Sequence, residues 1–260
     1  MQRSKGGRAR RGKTGGTSKP RSIPASPQQA WEQAIAAYEA NQPQRAQGLV
    51  ARLLDLPSVP GEVSLLAGLV EGQLGDAARS EAHLRRAVQL VPDRLEGWMG
   101  LGNAQHMQGR FDAAVETFRR VLTRAPGDPT ALFNMAMAQF EHGRHRDALD
   151  SLNRVLEVQP EHRDAQRYRA RVLARLRWPR EARAAYADLL ATSSDDPGLR
   201  LEFAVFLEQG NEPDEAERWL PSAEALAGDR AAAARAEELR AQLLARRGDD
   251  DAALEVLAAA

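Results

Sequence analysis

The side chains of this chain bring two kinds of chemistry within reach: anion binding and, at one point, metal ligation. Arg163, Arg167, Arg169, Arg171, Arg175 and Arg177 crowd into one stretch, RDAQRYRARVLARLR. Arg167 and Arg171 are four residues apart, one turn of a helix, so their guanidinium groups can fork together onto a carboxylate or a phosphate. The competing expectation is a solvated face paired with acids such as Asp164 and Glu181, since exposed ion pairs are common and individually weak. His142 and His145 stand three apart in EHGRHRD with no third ligand nearby, which points to surface histidines rather than a metal centre. No G-x-S-x-G, phosphate-binding loop, dinucleotide glycine pattern or His-Glu-x-x-His run occurs. The absence of cysteine rules out disulfides, thiol catalysis and thiolate metal sites. The residues therefore predict a protein that is not an enzyme and holds no cofactor and no metal.

The formal charge of zero conceals two unequal parts. Residues 1–26 carry Arg3, Lys5, Arg8, Arg10, Arg11, Lys13, Lys19 and Arg21 and no acid, leaving 28 basic residues against 36 acids in the remainder. The tail's Gly, Ser, Thr and Pro content cannot repay the entropy of ordering, so residues 1–26 are expected to form a disordered basic tail. Its charge suits a loose contact with nucleic acid, an anionic surface or an acidic partner, the acidic remainder of the chain included, but basic runs are common and a merely solvated leader is the plainer explanation. Arg10-Arg11 is not followed by an apolar run, which argues against a secretory signal. No segment reaches the 18 or so apolar residues a membrane span needs. A cytoplasmic location is the plain expectation, and the Arg- and Ala-rich composition suggests a bacterial source.

What must position the arginines is a repeat. Small residues recur 34 apart at Ala34, Gly68, Gly102, Ala136, Ala170 and Ala204, and again at Ala46, Ser80, Ala114, Ala148, Ala182 and Ala216. A large column runs Val50, Leu84, Phe118, Leu152, Tyr186 and Leu220, and a turn column runs Asn41, Gly75, Gly109, Gly143 and Asn211, with Arg177 as its exception. Pro92, Pro126 and Pro160 stand at unit ends. A fixed period of this length is the mark of a stacked array. Apolar residues at three- and four-residue steps on both sides of each turn predict two helices per unit.

In the best-formed unit, residues 95–128, Trp98, Leu101, Gly102, Gly109, Ala114, Phe118 and Pro126 match the tetratricopeptide repeat in type and spacing, and Gln105 stands where a Tyr is usual. The resemblance covers roughly nine-tenths of the chain. It implies an all-α, right-handed superhelical α-solenoid of about seven helix-turn-helix units, near 27–60, 61–94, 95–128, 129–162, 163–196, 197–230 and 234–260. Three departures from the pattern are visible. The turn of the fifth unit carries Arg177-Trp178-Pro179, Pro221 falls inside the second helix of the sixth and should end it early, and the seventh repeats the turn and following columns at Gly248, Ala253 and Leu257 after three inserted residues.

In such arrays the first helices line a concave groove that holds a partner protein or an extended peptide. Carried over column by column, the resemblance assigns Met99, Asn103, His106, Phe133, Asn134, Met137, Phe140, Arg167 and Arg171 to that groove. Asn103 and Asn134 resemble the asparagines of the clamp with which some members hold the C-terminal tails of chaperones, but Met99 replaces its first lysine and Asp164 and Tyr168 occupy its last basic places. Binding of chaperone tails is therefore not predicted. The expected function is an interaction scaffold whose ligand is apolar near units three and four and acidic near unit five. Similarity to the N-terminal repeats of bacterial sulfotransferase or glycosyltransferase proteins suggests the alternative of a recruiting half of a larger enzyme.

Overall fold

The computed structural model describes residues 26–259, so the basic tail lies outside the described residues. Fourteen α-helices follow one another in seven antiparallel pairs. The pairs are α1 (Pro27–Glu39) with α2 (Pro43–Leu54), α3 (Gly61–Gln73) with α4 (Ala77–Leu90), α5 (Leu95–Met107) with α6 (Phe111–Arg124), and α7 (Pro129–Glu141) with α8 (His145–Val158). Then come α9 (Arg163–Arg175) with α10 (Pro179–Thr192), α11 (Pro197–Gln209) with α12 (Pro213–Trp219), and α13 (Arg230–Arg246) with α14 (Asp250–Ala259). Among the described residues there is no strand, and no helix is long and apolar enough to cross a membrane.

Local chemistry sets the helix ends. Ser26, Asp76, Asp128, Asp196 and Asp229 each accept a hydrogen bond from the backbone N–H three residues on, satisfying a donor that a helix N-terminus leaves free. Pro opens α1, α2, α7, α10, α11 and α12, where its missing N–H has no intrahelical partner to lose. The turn within every pair passes through left-handed backbone at the turn column: Asn41, Gly75, Gly109, Gly143, Arg177, Asn211 and Gly248 all have positive φ. Arg177, at φ 59°, adopts there a conformation that its Cβ opposes. The unit-end prolines gain a second use: the carbonyl oxygen of Pro92 accepts from Trp98 Nε1 at 2.9 Å, that of Pro126 from Arg154 at 2.9 Å, and that of Pro160 from Gln166 at 2.7 Å.

Within a pair the small columns let the two backbones close on each other, and the large column fills the space beside them. Ala34, Ala46, Ala114, Ala148, Ala170, Ala182, Ala204 and Ala216 are wholly buried, as are Leu84, Phe118 and Leu152. A Cβ added to Gly102 would lie 2.5 Å from a ring carbon of Phe118, so the closest approach in this pair requires glycine. Gln105, standing where the repeat it resembles usually has a Tyr, is buried and accepts a 2.7 Å hydrogen bond from Thr117, and Gln139 does the same with Ser151 at 2.8 Å.

The sixth pair is the irregular one. Pro221 stops α12 after seven residues, against 14 in α4, α6, α8 and α10, and the chain continues through a short 3₁₀ turn at Glu224–Leu226. The inserted residues of the seventh unit lengthen its first helix: α13 has 17 residues where α11 has 13, and it begins at Arg230, a turn before the start near 234 that the spacing suggests.

Candidate partner-binding groove

First helices of neighbouring pairs touch one another, α3 with α5, α5 with α7 and α11 with α13, whereas successive second helices hardly meet. The first helices therefore lie on the inside of the curve. Met99, Phe133, Met137 and Phe140 are half-buried along that inner face, with Met99, Phe133 and Phe140 resting on the core beneath. Leu65 and Leu201, which fall in the same columns, are buried and serve the stack instead.

Asn134 donates through Nδ2 to Asn103 Oδ1 at 2.9 Å. This pairing leaves Asn103 with its own NH₂ and Asn134 with its own carbonyl, one donor and one acceptor side by side, a match for a backbone amide. His106 is half-buried with its ring 5.6 Å from Phe111 and Nε2 3.6 Å from Glu141. His142 faces Asp112 at 3.3 Å, and His145 packs against Phe140 at 5.4 Å. Burial, reinforced by the nearby charge of Arg175, holds the His145 imidazole below its ordinary pKa. Among the described residues no group of three or more His, Asp or Glu is placed to hold a metal ion.

The two arginines singled out from the sequence have different fates. Arg167 is engaged: its guanidinium donates to Glu202 of α11 at 3.1 Å and lies 3.5 Å from Asp196, the residue that caps α11, and neither of them is the expected Asp164 or Glu181. Arg171 lies over two rings, 4.7 Å from the centroid of Tyr168 and 5.3 Å from that of Phe140. Tyr168, which the sequence marks only as a departure from the clamp, is central: it meets Phe133 edge-on at 5.7 Å and Phe140 edge-on at 6.0 Å. Arg171 and Arg175 form no ion pair with any carboxylate among the described residues.

Arg171 and Arg175 of α9 line a cleft of about 230 Å³ together with Leu201, Glu202, Val205 and Phe206 of α11 and Arg235 of α13. Phe206 takes the place that the smaller Ala104, Ala138 and Val172 hold in earlier units. With Tyr186, Phe203 and Trp219 it forms an aromatic group whose centroids lie 5.5–6.1 Å apart. α10 and α11 approach each other less closely than α4 and α5 or α6 and α7 do, and this aromatic group bridges them. Burial pushes the Tyr186 hydroxyl above the usual phenol range, and the Glu202 carboxylate adds to the rise.

A family model for the tetratricopeptide repeat matches residues 32–93 and 65–129, and a second model of the same repeat matches residues 106–172. Over 110 residues the chain is 33% identical to the cellulose synthase operon protein C of Xanthomonas axonopodis pv. citri, which is 42% of this chain and 7% of that protein. Over 92 residues it is 25% identical to superkiller protein 3 of Saccharomyces cerevisiae, 35% of this chain and 6% of that protein. The chain thus spans only a small part of the length of these curated relatives. A solved tetratricopeptide repeat protein from Parabacteroides merdae superposes with a TM-score of 0.70 at 13% identity, covering 88% of this chain and 90% of that one. MamA from Desulfovibrio magneticus RS-1 superposes with a TM-score of 0.61, also at 13% identity, covering 66% of this chain and 98% of that one. At such identities the likeness to the solved structures is one of fold. The repeat models together match more than half of the sequence, and the helix pairs recur at the period of that repeat. The chain belongs to the tetratricopeptide repeat family.

Proposed function

We propose that this chain is a protein-interaction scaffold whose groove takes an extended partner segment, apolar where it crosses α5 and α7 and acidic where it reaches α9 and α11. One observation carries this reading. The half-exposed strip Met99, Phe133, Met137 and Phe140 runs without interruption into Arg171 and Arg175, which have no acidic partner among the described residues. Met adapts its shape to varied apolar side chains. The Asn103–Asn134 pair supports a backbone contact beside the strip. The acidic end falls on Arg171 and Arg175 rather than on Arg167, because Glu202 and Asp196 already neutralise Arg167.

Peptides selected from a random displayed library against the whole chain test this. The wild type should enrich sequences with an acid following two or more apolar residues. Arg171→Glu/Arg175→Glu should weaken the selected peptides about tenfold or more and abolish the preference for acid, since a like charge now faces it. Met137→Asp should weaken them without changing that preference. Selection of the same peptides at unchanged affinity by both variants would remove the groove from the function.

A further inference from the structure

Phe206 departs from its column in size and in burial. The corresponding residues of the second to fifth units are Val70, Ala104, Ala138 and Val172, all buried and none larger than valine, whereas the Phe206 ring is only half-buried. A small buried side chain satisfies the stack at this position, so packing alone does not call for a ring that keeps part of its apolar surface in water. Tyr186 and Phe203 hold the ring in place, at centroid distances of 5.6 and 6.1 Å. Its open part faces the cleft shared with Arg171, Arg175, Leu201 and Val205.

The chemistry of the cleft narrows what can enter it. Pockets that take whole small ligands measure about 300–1,000 Å³, and the 230 Å³ here suits one large side chain of a longer segment. Ala174, Leu201, Val205 and Phe206 make much of the lining apolar, which disfavours a charged group inside. The guanidinium groups of Arg171 and Arg175 further repel a cation, and Glu202 repels an acid. An apolar side chain remains, and an aromatic one gains contacts that an aliphatic one lacks. Phe206 offers a ring for edge-on or offset stacking. Arg175 makes no hydrogen bond, ion pair or ring contact among the described residues, so the face of its guanidinium is open to a ring while the edge holds a carboxylate. Arg171 already lies over Tyr168 and Phe140 in that manner.

We infer that the cleft seats an aromatic side chain of the partner segment, two residues beyond the acid that Arg171 and Arg175 hold. The spacing follows from the extended chain, in which alternate side chains face the same way about 7 Å apart. The inference rests on the groove reading given above and adds a motif to it: apolar residues over α5 and α7, an acid at α9, then a ring against Phe206 of α11.

The displayed peptide library, followed by titration of the selected peptides against the whole chain, tests the inference. The wild type should enrich Phe, Tyr or Trp two residues after the acid. Replacing that ring by Leu in a selected peptide should weaken binding about tenfold, and replacing it by Ala about 30-fold or more. Ala174→Trp fills the cleft from a half-buried position without touching either arginine. This variant should keep the preference for acid but bind the aromatic and Leu peptides equally. Phe206→Leu keeps the wall apolar, removes its ring and should narrow the difference between those two peptides. Unchanged helical circular dichroism in both variants establishes that folding is not the cause. Acid-bearing peptides selected with no aromatic at that place overturn the inference and leave the groove reading standing. An aromatic preference that persists undiminished in Ala174→Trp and Phe206→Leu also overturns it. If the wild type selects no acid-bearing peptide, the groove reading fails and this inference falls with it.

Discussion

Replacing Gly102 by Ala tests the account of how the helix pairs close. The added Cβ would stand 2.5, 2.7 and 2.9 Å from three ring carbons of Phe118, which is fully buried. Carbon atoms rest at about 3.5–4.0 Å, so the ring must retreat by roughly 1 Å into a packed interior. Overpacking of this kind costs about 1–3 kcal/mol, and three simultaneous contacts place the change near the upper end. Against this, alanine in place of glycine within a helix contributes about 1 kcal/mol of stability. Gly102→Ala should therefore destabilise the protein by about 2 kcal/mol net. Phe118→Leu alone should cost about 1–2 kcal/mol through the space it vacates. The double variant recreates the Ala136–Leu152 combination of the next unit, where both residues are buried without conflict. It should be more stable than the sum of the single changes by about 2 kcal/mol, a coupling that only neighbours in direct contact show. Urea denaturation followed by circular dichroism measures all four corners of this cycle. A Gly102→Ala variant more stable than the wild type, or a double variant that is simply additive, would refute the close-approach argument.

Arg177→Gly should raise stability by about 0.5–1 kcal/mol, because φ 59° opposes a Cβ and Arg177 makes no hydrogen bond or ion pair among the described residues that the change would lose; a lower thermal midpoint would contradict this. Glu81 is buried, lies 2.5 Å from Arg110 and 2.9 Å from Arg85, and accepts from Gln108 at 2.8 Å. Its burial tends to raise the carboxyl pKa, but the Gln108 hydrogen bond and the two guanidinium groups outweigh that and hold it below its ordinary value. The folded-state pKa being depressed, Glu81 contributes stability that is complete above the ordinary glutamate range and is lost as the pH falls through the folded value. Glu81→Gln should cost about 1–3 kcal/mol at neutral pH and flatten the part of the acid-denaturation curve just below pH 4.5, as read by unfolding midpoints across a pH series.

Much of the architecture follows from spacing along the chain. The turn column marks seven positions of left-handed backbone, and even its exception, Arg177, adopts the conformation of the column rather than the one its side chain favours. Stacking on both sides fixes that turn more strongly than one residue's preference can oppose it. Pro221 ends its helix early because the ring and the missing N–H act locally, whatever the neighbours are. The inner strip was likewise visible from the columns. The role of Tyr168 was not, because its importance comes from the rings it meets in α7, and the cleft was not, because its lining is drawn from α9, α10, α11 and α13 together.

The sequence by itself determined the period, the pairing of helices, the turns and the buried columns, since each depends on residues within one unit and on the 3.6-residue geometry that sorts them onto faces. The tertiary structure decided which charges remain available. Arg167 and Arg171 look alike in the sequence, but stacking sets Glu202 and Asp196 against the first and two aromatic rings beneath the second. The physical reason is that ion pairing and burial depend on atoms a few ångströms away, and in a stacked array many of those atoms come from a neighbouring unit, as Glu202 does for Arg167 and Phe140 for Arg171, whereas Tyr168 shares α9 with Arg171.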